Sequence, residues 1–206
     1  MNILVACEFS GTVASAFRRR GHNAYSCDVI PFEAGITVGN DNKRYHIQGD
    51  AIKIINSRSW DMMIAFPPCT YLCSSGLHWN QRVAGREEKT KEALRFVSLL
   101  LDADISRVAL ENPVGCISTR IRKPDQIIQP YEFGHNASKK TCLWLRGLLQ
   151  LKPTNYHPPR IVNGKERWGN QTDSGQNKLT PSTIRGKLRS ITYSGIAEAM
   201  ADQWSI

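Results

Sequence analysis

The sequence predicts an α/β domain with a mostly parallel sheet and helices on both faces, and three observations predict it. Short apolar runs recur along the 206 residues and alternate with stretches of helical periodicity. Several runs are apolar almost throughout, which is how strands buried on both faces read. Polar or reactive residues (Glu8, Asp28, Asp50, Cys69 and Glu111) each follow such a run, and ligands of open α/β sheets bind at the carboxyl ends of the strands.

The elements follow in order. Residues 3–7, Ile-Leu-Val-Ala-Cys, form a first strand that enters a turn at Phe9-Ser10-Gly11. Val13, Ala14, Ala16 and Phe17 then recur at helical spacing, and Gly21 ends that helix. A second strand is expected at 24–29 and a short third one at 45–48, the latter ending in Gly49-Asp50. Residues 61–66 make a buried strand that stops at Pro67-Pro68. A helix spans 85–103, with a polar start and an apolar later half. Another buried strand covers 107–110 and closes at Glu111-Asn112-Pro113; 141–145 is one more, and 194–204 a final amphipathic helix.

Composition sets the outer limits. With 41% hydrophobic and 22% charged residues, the chain is neither disordered nor collagen-like, and it is long enough to bury a core without disulfides or a metal. Its longest apolar stretch, around Phe96 to Leu101, is far short of the roughly 20 residues that span a bilayer. The opening Met-Asn-Ile-Leu-Val-Ala-Cys-Glu has no basic n-region and reads as a core strand, not a signal peptide, so a cytoplasmic setting is expected. Six scattered cysteines form no Cys-x-x-Cys pair, so neither a zinc site nor a disulfide framework is indicated.

The net charge of +9 makes a polyanion a reasonable partner, and its location says more. Residues 151–190 hold eight basic side chains (Lys152, Arg160, Lys165, Arg167, Lys178, Arg185, Lys187, Arg189) against Glu166 and Asp173, six of the nine net charges. Turn formers crowd the same stretch, with Tyr156 and Trp168 among them. Such a loop-rich basic excursion suits phosphates and unstacked bases, or else is a solvated surface loop.

Two tripeptides carry the chemistry. Pro67-Pro68-Cys69 sets a thiol on a stiff turn directly after a buried strand, as a nucleophile requires. Forty-two residues later, Glu111-Asn112-Pro113 brings a carboxylate to the same edge. Alone, each is more often structural; together, on adjacent strands, they are far more specific.

In these residues the chain resembles the DNA cytosine-5 methyltransferases. Phe9-Ser10-Gly11 is similar to that family's cofactor motif, Pro67-Pro68-Cys69 to its catalytic motif and Glu111-Asn112-Pro113 to its Glu-Asn-Val motif, in the same order. Glu111-Asn112-Pro113-Val114-Gly115, the run from Ser138 to Leu145 and the run from Gly195 to Ala201 resemble the short single-domain members found in phage and prophage genomes.

The resemblance implies a Rossmann-like S-adenosylmethionine-dependent methyltransferase fold. Cys69 would add to cytosine C6 and Glu111 would assist at N3, with the base flipped out of double-stranded DNA. S-adenosylmethionine would be held by Glu8, Phe9, Ser10, Gly11, Asp28, Asp50 and Pro67; no metal and no membrane are implied. Asp28 and Asp50 also read as turn or cap residues.

Departures from the family pattern raise further expectations. Val13 and Ala14 stand where further glycines are usual, and the Arg-x-Arg motif is replaced by Lys140, or by Arg120 and Arg122 from another loop. Residues 1–150 with 191–206 would be the catalytic core, and 151–190 a reduced target-recognition insertion. DNA contacts are expected from His78, Trp79, Arg160, Lys165, Arg167, Trp168, Lys178, Arg185, Lys187 and Arg189, while Cys73 reads as structural. The alternatives are the same mechanism on RNA, on a nucleotide or with a modified methyl group, and a non-catalytic nucleic-acid-binding or decoy protein.

Overall fold

Ile3, Leu4, Val5 and Ala6 are fully buried, and they place β1 (Asn2–Ala6) at the middle of a sheet packed on both faces. The computed structural model describes residues 1–32, 44–182 and 184–205. After β1 come α1 (Thr12–Arg19), β2 (Asn23–Asp28), β3 (His46–Gln48), α2 (Ala51–Ile55) and β4 (Met62–Ala65). The chain continues through α3 (Ser74–Leu77), α4 (Arg86–Leu101), β5 (Arg107–Pro113), α5 (Ile117–Arg120), β6 (Gln126–Ile128) and β7 (Thr141–Arg146). It closes with β8 (Arg160–Val162), β9 (Lys165–Arg167), α6 (Arg185–Ser190) and α7 (Ser194–Trp204).

Seven strands form one sheet in the order β3-β2-β1-β4-β5-β7-β6, and β8 pairs with β9 in a separate hairpin. All pairings from β3 to β5 are parallel; β7 runs antiparallel to both neighbours. This is a Rossmann-like α/β architecture with a mostly parallel sheet. The order reverses between β1 and β4, which opens a crevice at their carboxyl ends. Register aligns that edge: Ala6 pairs with Cys27 and Ala65, and Ala65 with Leu110, so Asp28, Phe66 and Glu111 stand level one residue on.

Side chains alternate between two cores. Ile3, Val5, Met62, Ile64, Ala109 and Leu143 face α1 and α7, while Leu4, Ala6, Met63, Ala65, Val108, Leu110 and Trp144 face α2 and α4. Arg20 ties α1 to α7 through Glu198 at 2.7 Å and Asp202 at 2.5 Å.

The expected strands and the final helix are present, with one correction. β5 does not close at Leu110 but runs on to Pro113, because the antiparallel β7 pairs Glu111 with Leu143, Asn112 with Cys142 and Pro113 with Thr141. Glu111 is therefore held inside a ladder and does not hang from a loop. Five short elements, α2, α3, α5, β6 and α6, and the β8–β9 hairpin lie in stretches where no element was expected. Among the described residues, no helix is long and apolar enough to cross a membrane.

Candidate active site

The turn after β1 is built from backbone conformations that only a few residues accept. Gly11 has φ 66°, in the left-handed region, and opens α1; Cys7 takes φ 58° at the strand end, a costly conformation for a side chain that is not glycine. Glu8 is buried beneath this turn, and its carboxylate accepts from the Val13 N–H at 2.7 Å and the Ala14 N–H at 3.2 Å. Ser10 is also buried and bonds Glu8 and Thr12. Both were expected to hold a cofactor; instead both are consumed in capping α1, whose first amides otherwise have no acceptor.

Burial pushes the Glu8 carboxyl up to about 7 from its ordinary 4.5, against the opposing pull of the Val13 and Ala14 amides. The folded protein therefore binds a proton that the unfolded chain has released, and Glu8's contribution is complete below about 4.5 and lost as pH rises through about 7. Urea midpoints from pH 5 to pH 8 are expected to fall more steeply for the wild type than for Glu8→Gln. Glu8→Ala leaves two buried amides unpaired and is expected to cost about 2–4 kcal/mol.

Two carboxylates converge on the same end of β1. The Cys7 thiol is pushed up to about 12 by burial and then by Asp28, Cys27 and Asp50, which places both acids around it. Asp28 accepts the Ile30 N–H on Oδ1 at 2.9 Å, and Asp50 caps α2 by accepting the Lys53 N–H on Oδ1 at 3.0 Å. The turn and cap roles are thus real, and each engages one carboxylate oxygen. Asp28 is half-buried and held above the usual carboxylate range by burial, while Asp50 is exposed. Phe9 is buried at 5% exposure.

The thiol and the carboxylate of the two tripeptides are fixed to each other by the backbone around them. Asn112, 1% exposed, donates from Nδ2 to the Pro67 carbonyl at 2.8 Å, joining β5 to the Pro-Pro-Cys turn. The Cys116 N–H donates to Leu72 O at 2.8 Å, the Ser74 N–H donates to Val114 O at 3.0 Å, and Cys73 bridges to Gly115. A Cβ on Gly115 would stand 1.9 Å from Leu72 O, so only glycine allows these loops to close. The resulting cluster has Cys69 exposed at its mouth and Glu111 half-buried behind it. Burial raises the Glu111 carboxyl, while the Lys139 ammonium and the Thr141 hydroxyl draw it back.

Of the two lysines that precede β7, Lys139 acts electrostatically on both Cys69 and Glu111, and Lys140 acts on Cys142. Lys139 also donates from Nζ to Arg189 O at 3.1 Å. Arg122 bonds Asp125 at 2.8 Å and Leu145 O at 3.1 Å, two residues along β7 from Leu143, the partner of Glu111. Arg120 ends α5, exposed, beside Cys116.

Residues expected at nucleic acid divide into two groups. His78 and Trp79 are exposed on the loop after the thiol, their rings 4.9 Å apart. Lys165, Lys178 and Arg189 are exposed too. Trp168 is not: it is 5% exposed, stacked on Tyr131 at 4.1 Å, and its indole N–H donates to His157 O, so its faces are closed to a base. Arg160 bonds Asp173 and Gln171 O, and Arg167 donates to Asp173 O, so both fold their own hairpin. Arg185 and Lys187 are half-buried on α6. The segment is laced to residues 136–138 by Gly169 N–H to Asn136 Oδ1 and by Asn170 Nδ2 to Ser138 O, which sets it beside Lys139.

No family model matches the chain, and no curated protein matches it. Among solved structures it is similar to a provisionally assigned DNA modification methyltransferase encoded within an E. coli prophage, at 13% identity and a TM-score of 0.41. The match covers 70% of this chain and 46% of the other, so the chain spans less than half of that protein.

Proposed function

We propose that the protein transfers a methyl group from S-adenosylmethionine to C5 of cytosine in DNA through a transient bond between Cys69 and C6. The observation that carries this reading is the locking together of Cys69 and Glu111 through Asn112 and Gly115 at the open edge of a methyltransferase fold. S-adenosylmethionine, when bound, supplies the electrophilic methyl group. Asp28 and Asp50 would accept from its hydroxyl and amine groups, Gly11 would let the backbone approach it, and Phe9 and Pro67 would flank it.

Cys69 adds to C6 as the thiolate, and the ring's electron pair moves toward C5 and takes the methyl group. Loss of the C5 proton to a base then breaks the S–C6 bond and returns Cys69 as the thiolate. Glu111, its carboxyl raised by burial, would hydrogen-bond N3, favour its protonation and so lower the barrier to that addition. Lys139, which acts electrostatically on both groups, would steady the Cys69 thiolate before addition and the Glu111 carboxylate after it. Cytosine C6 is unreachable in a stacked duplex, so the base must be extruded, and we assign the exposed His78 and Trp79 to the space it leaves. We assign residues 1–150 and 191–206 to catalysis and 151–190 to DNA, with Lys165, Lys178 and Arg189 meeting phosphates and affinity falling steeply with salt.

Incubation of duplex DNA with methyl-labelled S-adenosylmethionine, followed by nucleoside mass spectrometry, tests the reaction. Label in 5-methylcytosine is expected; label on an exocyclic amine, or none in DNA, contradicts it. Lys139→Ala is expected to lower turnover by about 10–100-fold with little loss of stability, whereas Lys140→Ala stays within about threefold of wild type.

A further inference from the structure

Resting on the reading of residues 151–190 as the DNA-facing segment, we propose that Tyr156 is a stacking platform for an unpaired base of the bound DNA. Tyr156 is 58% exposed, whereas the rings behind it are covered, Trp168 buried and Tyr131 half-buried. Tyr131 lies flat on Trp168, with centroids 4.1 Å and planes 10° apart, and meets Tyr156 edge to face at 5.8 Å. The backbone under Tyr156 is fixed as well. The Thr154 and Asn155 N–H groups donate to Glu132 O at 3.1 and 3.2 Å, and the His157 N–H donates to Tyr131 O at 2.7 Å. In the other direction the Gly134 N–H donates to Asn155 O at 2.5 Å, and the Trp168 indole donates to His157 O at 3.1 Å.

A ring that is exposed and yet held in place is a ready partner for a flat ligand. Its order is already supplied by the rings behind it and by the pinned backbone, so stacking on it costs little further freedom. Every base has a π-face, and aromatic platforms on basic segments accept unpaired bases with little regard to sequence. In an intact duplex the faces of each base are covered by its neighbours, and an extruded cytosine is committed to Cys69. The base on Tyr156 is therefore a second one, from a single strand or from duplex opened by the extrusion. Charge assigns the phosphates elsewhere. Glu132 and Glu166 are the carboxylates that act on Tyr131, whereas Lys152 and Lys165 are exposed on either side of Tyr156 along the chain. The ring meets the base and the lysines meet the phosphates, so the affinity that Tyr156 supplies is independent of salt.

Fluorescence anisotropy on the full chain tests this with two probes, a deoxythymidine oligomer and a fully paired duplex of equal length, each titrated over a range of salt. Tyr156→Ala is expected to weaken binding of the single strand by about tenfold or more, and of the duplex by no more than about twofold. Tyr156→Leu, which keeps apolar bulk against Tyr131 but has no aromatic face, is expected to follow it, and Tyr156→Phe to bind as the wild type does. The slope of log affinity against log salt should be unchanged in all three, whereas Lys165→Ala should flatten it by about 0.7 on the single strand. Wild-type binding of the single strand by Tyr156→Leu, or an equal loss on both probes, overturns the proposal. Its failure is distinguishable from that of the cytosine reading. If the wild type captures 5-fluorocytosine DNA while Tyr156→Leu binds single strands unchanged, the platform falls and the reading stands; the opposite pattern keeps the platform and removes the reading.

Discussion

Cys69→Ser is expected to abolish methyl transfer, by roughly a thousandfold or more, while leaving the fold intact. A serine hydroxyl does not ionise at neutral pH, so it does not add to C6 even with Glu111 assisting at N3. Because Cys69 is exposed and makes no core contact, the melting temperature should move by no more than about 2 °C. Loss of activity with retained stability separates a nucleophile from a structural cysteine. Cys116, buried and packed in the core on the α4 side, should behave in the opposite way.

Gly115→Ala is expected to have the second largest effect, and for a different reason. Its methyl group would press on the Leu72 carbonyl, a backbone atom that cannot rotate away. Relief requires the loop after Glu111 to part from the loop after Cys69, which breaks the Cys116–Leu72 and Ser74–Val114 hydrogen bonds. The expected cost is about 3 kcal/mol, or a fall of roughly 6–12 °C in melting temperature. Methyl transfer should be lost even below the melting transition, because Cys69 and Glu111 would no longer share one geometry. Thermal unfolding followed beside the methyl-transfer assay checks both.

Much of the fold was legible because the buried strands announce themselves. Ile3 to Ala6 and Met62 to Ala65 are apolar throughout, and α7 occupies Ser194–Trp204 as its periodicity predicts. The three-residue β6 and the β8–β9 hairpin left no such pattern. Their pairing depends on partners distant in sequence for β6, and on charged, largely exposed residues for the hairpin.

The site was legible in its motifs and less so in its auxiliaries. Cys69 and Glu111 stand at one edge, but adjacency in sequence does not show that Lys139 acts electrostatically on both of them. Glu8 and Ser10 looked like ligands because they follow β1, yet the open amides of α1 claim them first. Trp168 looked free because its neighbours are basic and turn-rich, and only the stacking on Tyr131 shows that it is core.

Trapping with duplex DNA containing 5-fluorocytosine tests the central claim most directly. Fluorine cannot leave C5 as a proton, so after methyl transfer the bond from Cys69 to C6 cannot be released. The expected result is a covalent protein–DNA adduct that needs S-adenosylmethionine, maps to Cys69 by peptide mass spectrometry and is absent from Cys69→Ser. No adduct from folded wild-type protein on DNA offering every short sequence context, or an adduct at another cysteine, would contradict it.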